Sequence, residues 1–168
     1  DTLSVTVRYG ADDVLIDPGT YTYLSDPEWR NRFRGTAAHN TVRVQGQDQA
    51  VPVNAFRWNN KPEVQVLESV ESKRIDAVCT YSDIRHRRVV ELSNSHTLIV
   101  LDVIEFAGPE IFAEQFWHPA QILGRMSPQC FELNGQVFLC LAAGPELPVA
   151  SSGEEYGWRP PAPGAKEP

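Results

Sequence analysis

Short runs of alternating apolar and polar residues, separated by turn-forming residues, make up most of this chain. The runs fall at 3–8, 13–16, 40–44, 63–69, 76–81, 86–92, 97–105, 113–118, 130–133 and 136–141. Segments of this length, rich in Val, Ile, Thr and aromatic residues, are expected to be β-strands. Only 26–34 hints at a helical turn. Asn134-Gly135, between 131–133 and 136–138, is a hairpin signal because both residues tolerate positive φ. Gln45-Gly46-Gln47-Asp48 is expected to be another turn. About ten strands in 168 residues predict an all-β chain, a two-sheet antiparallel β-sandwich with little helix. With no internal repeat, residues 1–158 form one expected domain. Arg159-Pro160-Pro161-Ala162-Pro163-Gly164 begins a Pro-rich tail over 159–168, extended or strapped across the core.

Composition narrows the partners. A hydrophobic content of 42% can build a core, and no apolar run approaches the ~20 residues of a membrane span. The net charge of −7 argues against a nucleic-acid surface and against attraction of an acidic polymer by the surface as a whole. Such a polymer must be met locally, and Arg30, Arg32 and Arg34, then Arg85, His86, Arg87 and Arg88, are the densest basic stretches. On an extended chain Arg30, Arg32 and Arg34 would share one face, and guanidinium groups grip carboxylates and sulfates bidentately. The competing reading is plain surface charge offsetting 22 acidic residues. Trp29, Trp58, Trp117 and Trp158 are candidate stacking platforms or core residues, and Trp58, in Arg57-Trp58-Asn59-Asn60, has the most polar neighbourhood. Cys79, Cys130 and Cys140 lack metal-type spacing, and a Cys130–Cys140 bridge across the hairpin stays open. No signal peptide is visible.

The chemistry gathers near one turn. Val14, Leu15 and Ile16 followed by Asp17-Pro18-Gly19 form a buried strand entering a turn, which holds a carboxylate at the strand end. His39 precedes the alternating run 41–44, so Asp17 and His39 can meet at one rim of a sheet. Imidazole with carboxylate is a common zinc pair, but a firm site needs a third protein ligand, and no H-x-H or H-E-x-x-H supplies it. Each residue also has a purely structural reading, Asp17 as a turn residue and His39 as a satisfied interior histidine, and the same holds for His86 and His118. No two acids are placed by motif to flank a glycosidic bond, which weakens hydrolysis by paired carboxylates.

In fixed order, Asp17-Pro18-Gly19-Thr20, Tyr21 and Tyr23, the Arg-rich stretch to Arg34, and Ala38-His39-Asn40-Thr41-Val42 resemble the start of the heparinase II/III-like β-sandwich. That fold is a super-sandwich, the C-terminal module of a group of bacterial polysaccharide lyases. The stretch from Thr80 to Arg88 is also similar, and the resemblance runs from Asp1 to about Tyr156. Asp1 looks like the aspartate of a His-x-Asp element whose histidine would lie upstream. The resemblance implies a lyase that cuts uronic-acid polysaccharide by β-elimination, with the main catalytic groups on an N-terminal helical toroid outside this chain. It implies metal ligation by Asp17 and His39, zinc or another divalent ion in a structural role, and an acidic polysaccharide met by Arg30, Arg32, Arg34, Trp58 and His86. A periplasmic, cell-envelope or secreted location goes with it, a cytoplasmic one staying open. This stretch alone is expected to be inactive. The alternative is a sandwich that binds carbohydrate or packs against a neighbour without catalysing anything.

Overall fold

A computed structural model describes residues 1–21, 26–71, 73–94, 96–121, 123–127, 129–133 and 137–140. Every strand pairing among them is antiparallel, and the protein is an all-β sandwich, with one short α-helix among the described residues. The largest sheet is a meander of β6 (Glu63–Val70), β7 (Arg74–Tyr81), β8 (Ile84–Asn94) and β9 (Thr97–Phe106), in spatial order 6-7-8-9. Its register aligns Cys79, His86 and Ile104 across three strands, and likewise Ala77, Arg88 and Asp102. Since side chains alternate along a strand, these rows lie on one face, and Arg85 and Arg87 on the other.

The opposing layer is built from shorter pieces. β1 (Val7–Tyr9) pairs with β2 (Asp12–Leu15), and β3 (Val42–Val44) with β10 (Ala113–Gln115). The segment after β10 ties the two together: Phe116 N donates to Thr41 O, Ile16 N to His118 O and Ala120 N to Val14 O. Val42 and Val44 then pack on Cys79, Tyr81 and Ile84, with Ile104 and Phe106 alongside. β11 (Gly124–Ser127), β12 (Cys130–Leu133) and β13 (Val137–Cys140) form a further sheet, whose Leu133 packs on Val14 and Leu15. β4 (Val51–Pro52) and β5 (Trp58–Asn59) make a small ribbon.

Most expected strands are present, but several are shorter. Leu3 has φ 57°, so the run at 3–8 becomes strand only at Val7. The strand at 113–118 ends at Gln115, where the backbone turns to bond with Thr41 and Ile16. β4, β5 and β11 escape a periodicity reading because they are two to four residues long. The expected turn at Gln45-Gly46 has φ 54° and 65° at its two central residues, and Gln47 N donates to Val44 O. The β12–β13 hairpin forms, but Leu133 pairs with Val137, so three residues separate the strands rather than two. The turn residues Asn134 and Gly135 lie outside the described set, as do Tyr23, Trp158 and the Pro-rich tail.

The helical hint at 26–34 becomes α1 (Pro27–Phe33). Asp26 caps it, accepting a hydrogen bond from Trp29 N at 3.1 Å. Pro27 opens the first turn, and Glu28 places a negative charge against the helix N-terminus. This corrects the expectation that Arg30, Arg32 and Arg34 share one face. At 3.6 residues per turn, Arg30 and Arg34 lie on one side and Arg32 on the other.

Candidate functional site

Asp17 and His39 come together where β2 and the 3-10 turn Thr36–Ala38 end. The Asp17 carboxylate uses both oxygens: Oδ1 accepts from Gly19 N at 2.8 Å, closing the turn, while Oδ2 lies 2.6 Å from His39 Nδ1. The structural and the chemical readings of Asp17 are therefore compatible, one oxygen serving each. Burial pushes the Asp17 carboxyl up, yet the His39 hydrogen bond and the Gly19 amide outweigh it and hold the group below its ordinary value. A carboxylate can only accept, so Nδ1 carries the proton, and a neutral ring then presents a lone pair at Nε2. His39 is buried, and its Nε2 has no hydrogen-bond partner among the described residues.

Asn40 positions this corner. Fully buried, it donates from Nδ2 to Val5 O at 2.8 Å and to Ile16 O at 2.9 Å, and its Oδ1 accepts from His118 N at 2.6 Å. One amide thus joins the residue before Asp17, the segment leading into β1 and the segment that follows β10. Its own carbonyl accepts from Arg88 Nη1 at 2.6 Å, which ties the corner to the meander. Below it, Thr41 Oγ1 and Gln49 Nε2 both donate to Thr2 O, and Gln49 N donates to Thr36 Oγ1.

A cavity of about 460 Å³ opens beside the corner, lined among others by Pro18, Trp29, Arg32, Ala38, Arg43 and Asp48. Pro18 and Ala38 are the chain neighbours of Asp17 and His39. Trp29 is 38% exposed, with the Arg32 guanidinium 5.2 Å from its ring. Among the described residues the one ion pair of Arg32 is an exposed contact with Glu28 at 3.5 Å, whereas Arg43 bonds Glu114 at 2.7 Å.

Other expected site residues lie elsewhere. Buried Arg30 and Arg34 both donate to Ala55 O, and Arg34 also to Asn54 O, so they clamp the loop joining β4 and β5. Trp58 is half-buried under the Arg34 guanidinium, 4.6 Å from its ring centre. His86 is wholly buried between the layers, its Nε2 2.6 Å from Asp102 Oδ1, which leaves it no surface to offer a polymer. The run 85–88 is not one basic patch either, because strand alternation splits it and each arginine has a carboxylate partner: Arg85 with Glu105, Arg87 with Asp76 and Arg88 with Asp102. His118 is buried, with Nε2 3.0 Å from Ala37 O. Asn40 and Arg43 went unrecognised as site residues, and Trp29, one of four candidate stacking platforms, was passed over in favour of Trp58. Asn40 lies within the Ala38–Val42 motif, but its bonds run to positions as far off as His118, and the spacing of Trp29 and Arg32 points to one surface only once α1 is known.

As metal donors, Asp17 and His39 are chemically apt, and the unpartnered buried Nε2 is the kind of atom a cation would satisfy. Two arrangements are open to them. The pair can spread by less than an ångström to share one ion, since tetrahedral zinc donors sit roughly 3.3 Å apart. Alternatively, the carboxylate orients the ring and Nε2 is the donor. Among the described residues no third His, Cys, Asp or Glu completes a cluster.

The described residues form an antiparallel β-sandwich module with an Asp17–His39 corner at its rim. The match to Heparinase II/III-like, C-terminal, over residues 1–137 makes this concrete: the chain belongs to that family. No curated protein and no solved structure gives a significant match to the chain. Among the described residues no helix is long and apolar enough to cross a membrane.

Proposed function

We propose that this chain is the C-terminal module of a lyase that cleaves uronic-acid-containing polysaccharide by β-elimination, contributing a divalent-metal site and one wall of the cleft. The observation that carries this reading is the adjacency of the Asp17–His39 pair to the cavity bearing Trp29, Arg32 and Arg43. Asp17 and His39 would hold the ion, zinc by donor chemistry, with a further ligand from the segment that precedes Asp1 in the whole protein. The backbone at Thr2 supports that placement, since its carbonyl accepts from Thr41 Oγ1, two residues after His39. Bound there, the metal would supply structural rigidity by locking the turn after β2 to the 3-10 turn. Trp29 offers a stacking face for a sugar ring, and Arg32 and Arg43 offer guanidinium groups to carboxylates.

The proton-transferring groups for C5 abstraction and leaving-group protonation belong, in this reading, to a helical toroid preceding the sandwich in the same protein. The domain would span 1–158, followed by the tail at 159–168, and work in the periplasm or cell envelope. Ultraviolet absorbance of the unsaturated product across a polysaccharide panel tests the proposal. The full-length protein should give product and this chain alone none. No product from the full-length protein on any uronate polymer would leave a non-catalytic carbohydrate-binding sandwich as the better account.

A further inference from the structure

We propose that Cys130 and Cys140 form an intramolecular disulfide that staples the β12–β13 hairpin when the protein meets a disulfide oxidant. The two cysteines are directly opposed on antiparallel strands, with sulfurs 2.7 Å apart and both side chains reachable from solvent. Opposed cross-strand residues bring their Cβ atoms to about 4.5–5.5 Å, the upper edge of the spacing a disulfide requires. Register decides the matter. A two-residue turn at Asn134-Gly135 would pair Leu133 with Gln136 and put Cys130 opposite Leu139. The observed pairing of Leu133 with Val137 instead brings Cys140 opposite Cys130. Among the described residues β13 pairs only with β12, so a staple here fastens the outer strand of that sheet.

The chemistry needs an external oxidant, and a small disulfide such as oxidised glutathione suffices. One cysteine, as thiolate, attacks a glutathione sulfur and releases one glutathione thiolate. The second loses its proton and attacks the protein sulfur of the mixed disulfide, releasing the other glutathione. Two protein thiols lose two electrons and two protons, and one oxidised glutathione becomes two reduced molecules. Cys79 stays out of this exchange, because it is fully buried on β7 and that burial pushes its thiol up to about 11. It serves as an internal standard.

The test treats the reduced native protein with oxidised glutathione at about pH 8, followed by acid quench, alkylation in denaturant and peptide mass mapping. The expected product is a cross-linked 130–140 peptide with Cys79 alone alkylated. Cys130→Ser and Cys140→Ser should each instead carry one glutathione on the remaining cysteine, and only the wild type should gain a few degrees in melting temperature on oxidation. Glutathione on both cysteines without a cross-link, a link to Cys79, or no reaction would overturn the proposal. So would the double variant Leu139→Cys with Cys140→Ser cross-linking as readily as the wild type, since that requires the slipped register.

Discussion

The protein contains two buried histidines that each meet an aspartate at 2.6 Å, and they have different surroundings. His86–Asp102 sits between the layers. Asp102 takes a bidentate grip from Arg88 and a bond from Gln115 Nε2, and its side chain is 9% exposed. His39–Asp17 sits at the rim, where the carboxylate side chain is 36% exposed and its other bond comes from the Gly19 amide. The inner carboxylate is neutralised within the fold. The outer one keeps negative charge beside a cavity, which is what a cation site requires. Proximity of imidazole and carboxylate therefore does not identify a functional pair. What separates the two is whether a guanidinium has already claimed the charge.

The largest effect should come from breaking the inner network. Arg88 is 2% exposed and bonds Asp102, Leu3 O and Asn40 O. Arg88→Ala strands a buried carboxylate and two carbonyls, and should cost about 3–5 kcal/mol in urea unfolding. A loss under about 1 kcal/mol would mean that water satisfies Asp102, and the distinction between inner and outer pairs would fail.

Asn40→Ala should come next, at about 2–3 kcal/mol, because two carbonyls and one amide lose their partner together. Its more informative readout is zinc affinity in the full-length protein. Loss of affinity in a variant whose circular dichroism is unchanged would show that Asn40 sets the spacing of Asp17 and His39. Unchanged affinity would make it a structural clasp alone.

A change in pH separates the pairs by depth. Both carboxyls are held below their ordinary value, and Asp102 further than Asp17. Burial opposes ionisation in each, but the His86 and Arg88 bonds outweigh it at Asp102, and the His39 and Gly19 bonds at Asp17. A lowered folded-state pKa gives stability that is fully present above the unfolded value near pH 4 and lost as pH falls through the folded one. Asp17→Asn should therefore change stability little at neutral pH, by about 0–1 kcal/mol, and remove part of the loss just below pH 4. Asp102→Asn should flatten the profile at lower pH. Identical acid profiles for wild type and both variants would erase the contrast.

Much of this was legible from sequence where the signal is local. Alternation at 76–81, 86–92 and 97–105 marked three strands of the meander, though not their pairing, and Asp17-Pro18-Gly19 marked the turn that closes as expected. Other features depend on partners remote in sequence. Arginines at spacing two point together on a strand and apart on a helix, so Arg30, Arg32 and Arg34 cannot be sorted until Asp26 and Pro27 are recognised as the start of α1. His86 has a basic neighbourhood in sequence, but its burial is set by Val42 and Val44 packing across from the row it shares with Cys79. The bonds of Asn40 to Val5, Ile16 and His118 leave no periodic trace at all.

A similarly small effect should appear at the cavity, where the comparison is between the α1 arginine facing it and those turned away. Arg32 is exposed and weakly paired, while Arg30 and Arg34 hold the 54–55 backbone. In the full-length protein, Arg32→Ala and Trp29→Ala should each weaken uronate-oligosaccharide binding by about 1 kcal/mol, roughly fivefold in Kd, at unchanged melting temperature. Arg34→Ala should instead lower the melting temperature, because Ala55 O and Asn54 O lose a buried donor and Trp58 loses its cover. Titration calorimetry beside thermal unfolding reads both at once. If Arg34→Ala impairs binding without loss of stability while Arg32→Ala does nothing, the polymer runs along the β4–β5 side of α1, and the cavity beside Asp17 and His39 is not its binding surface.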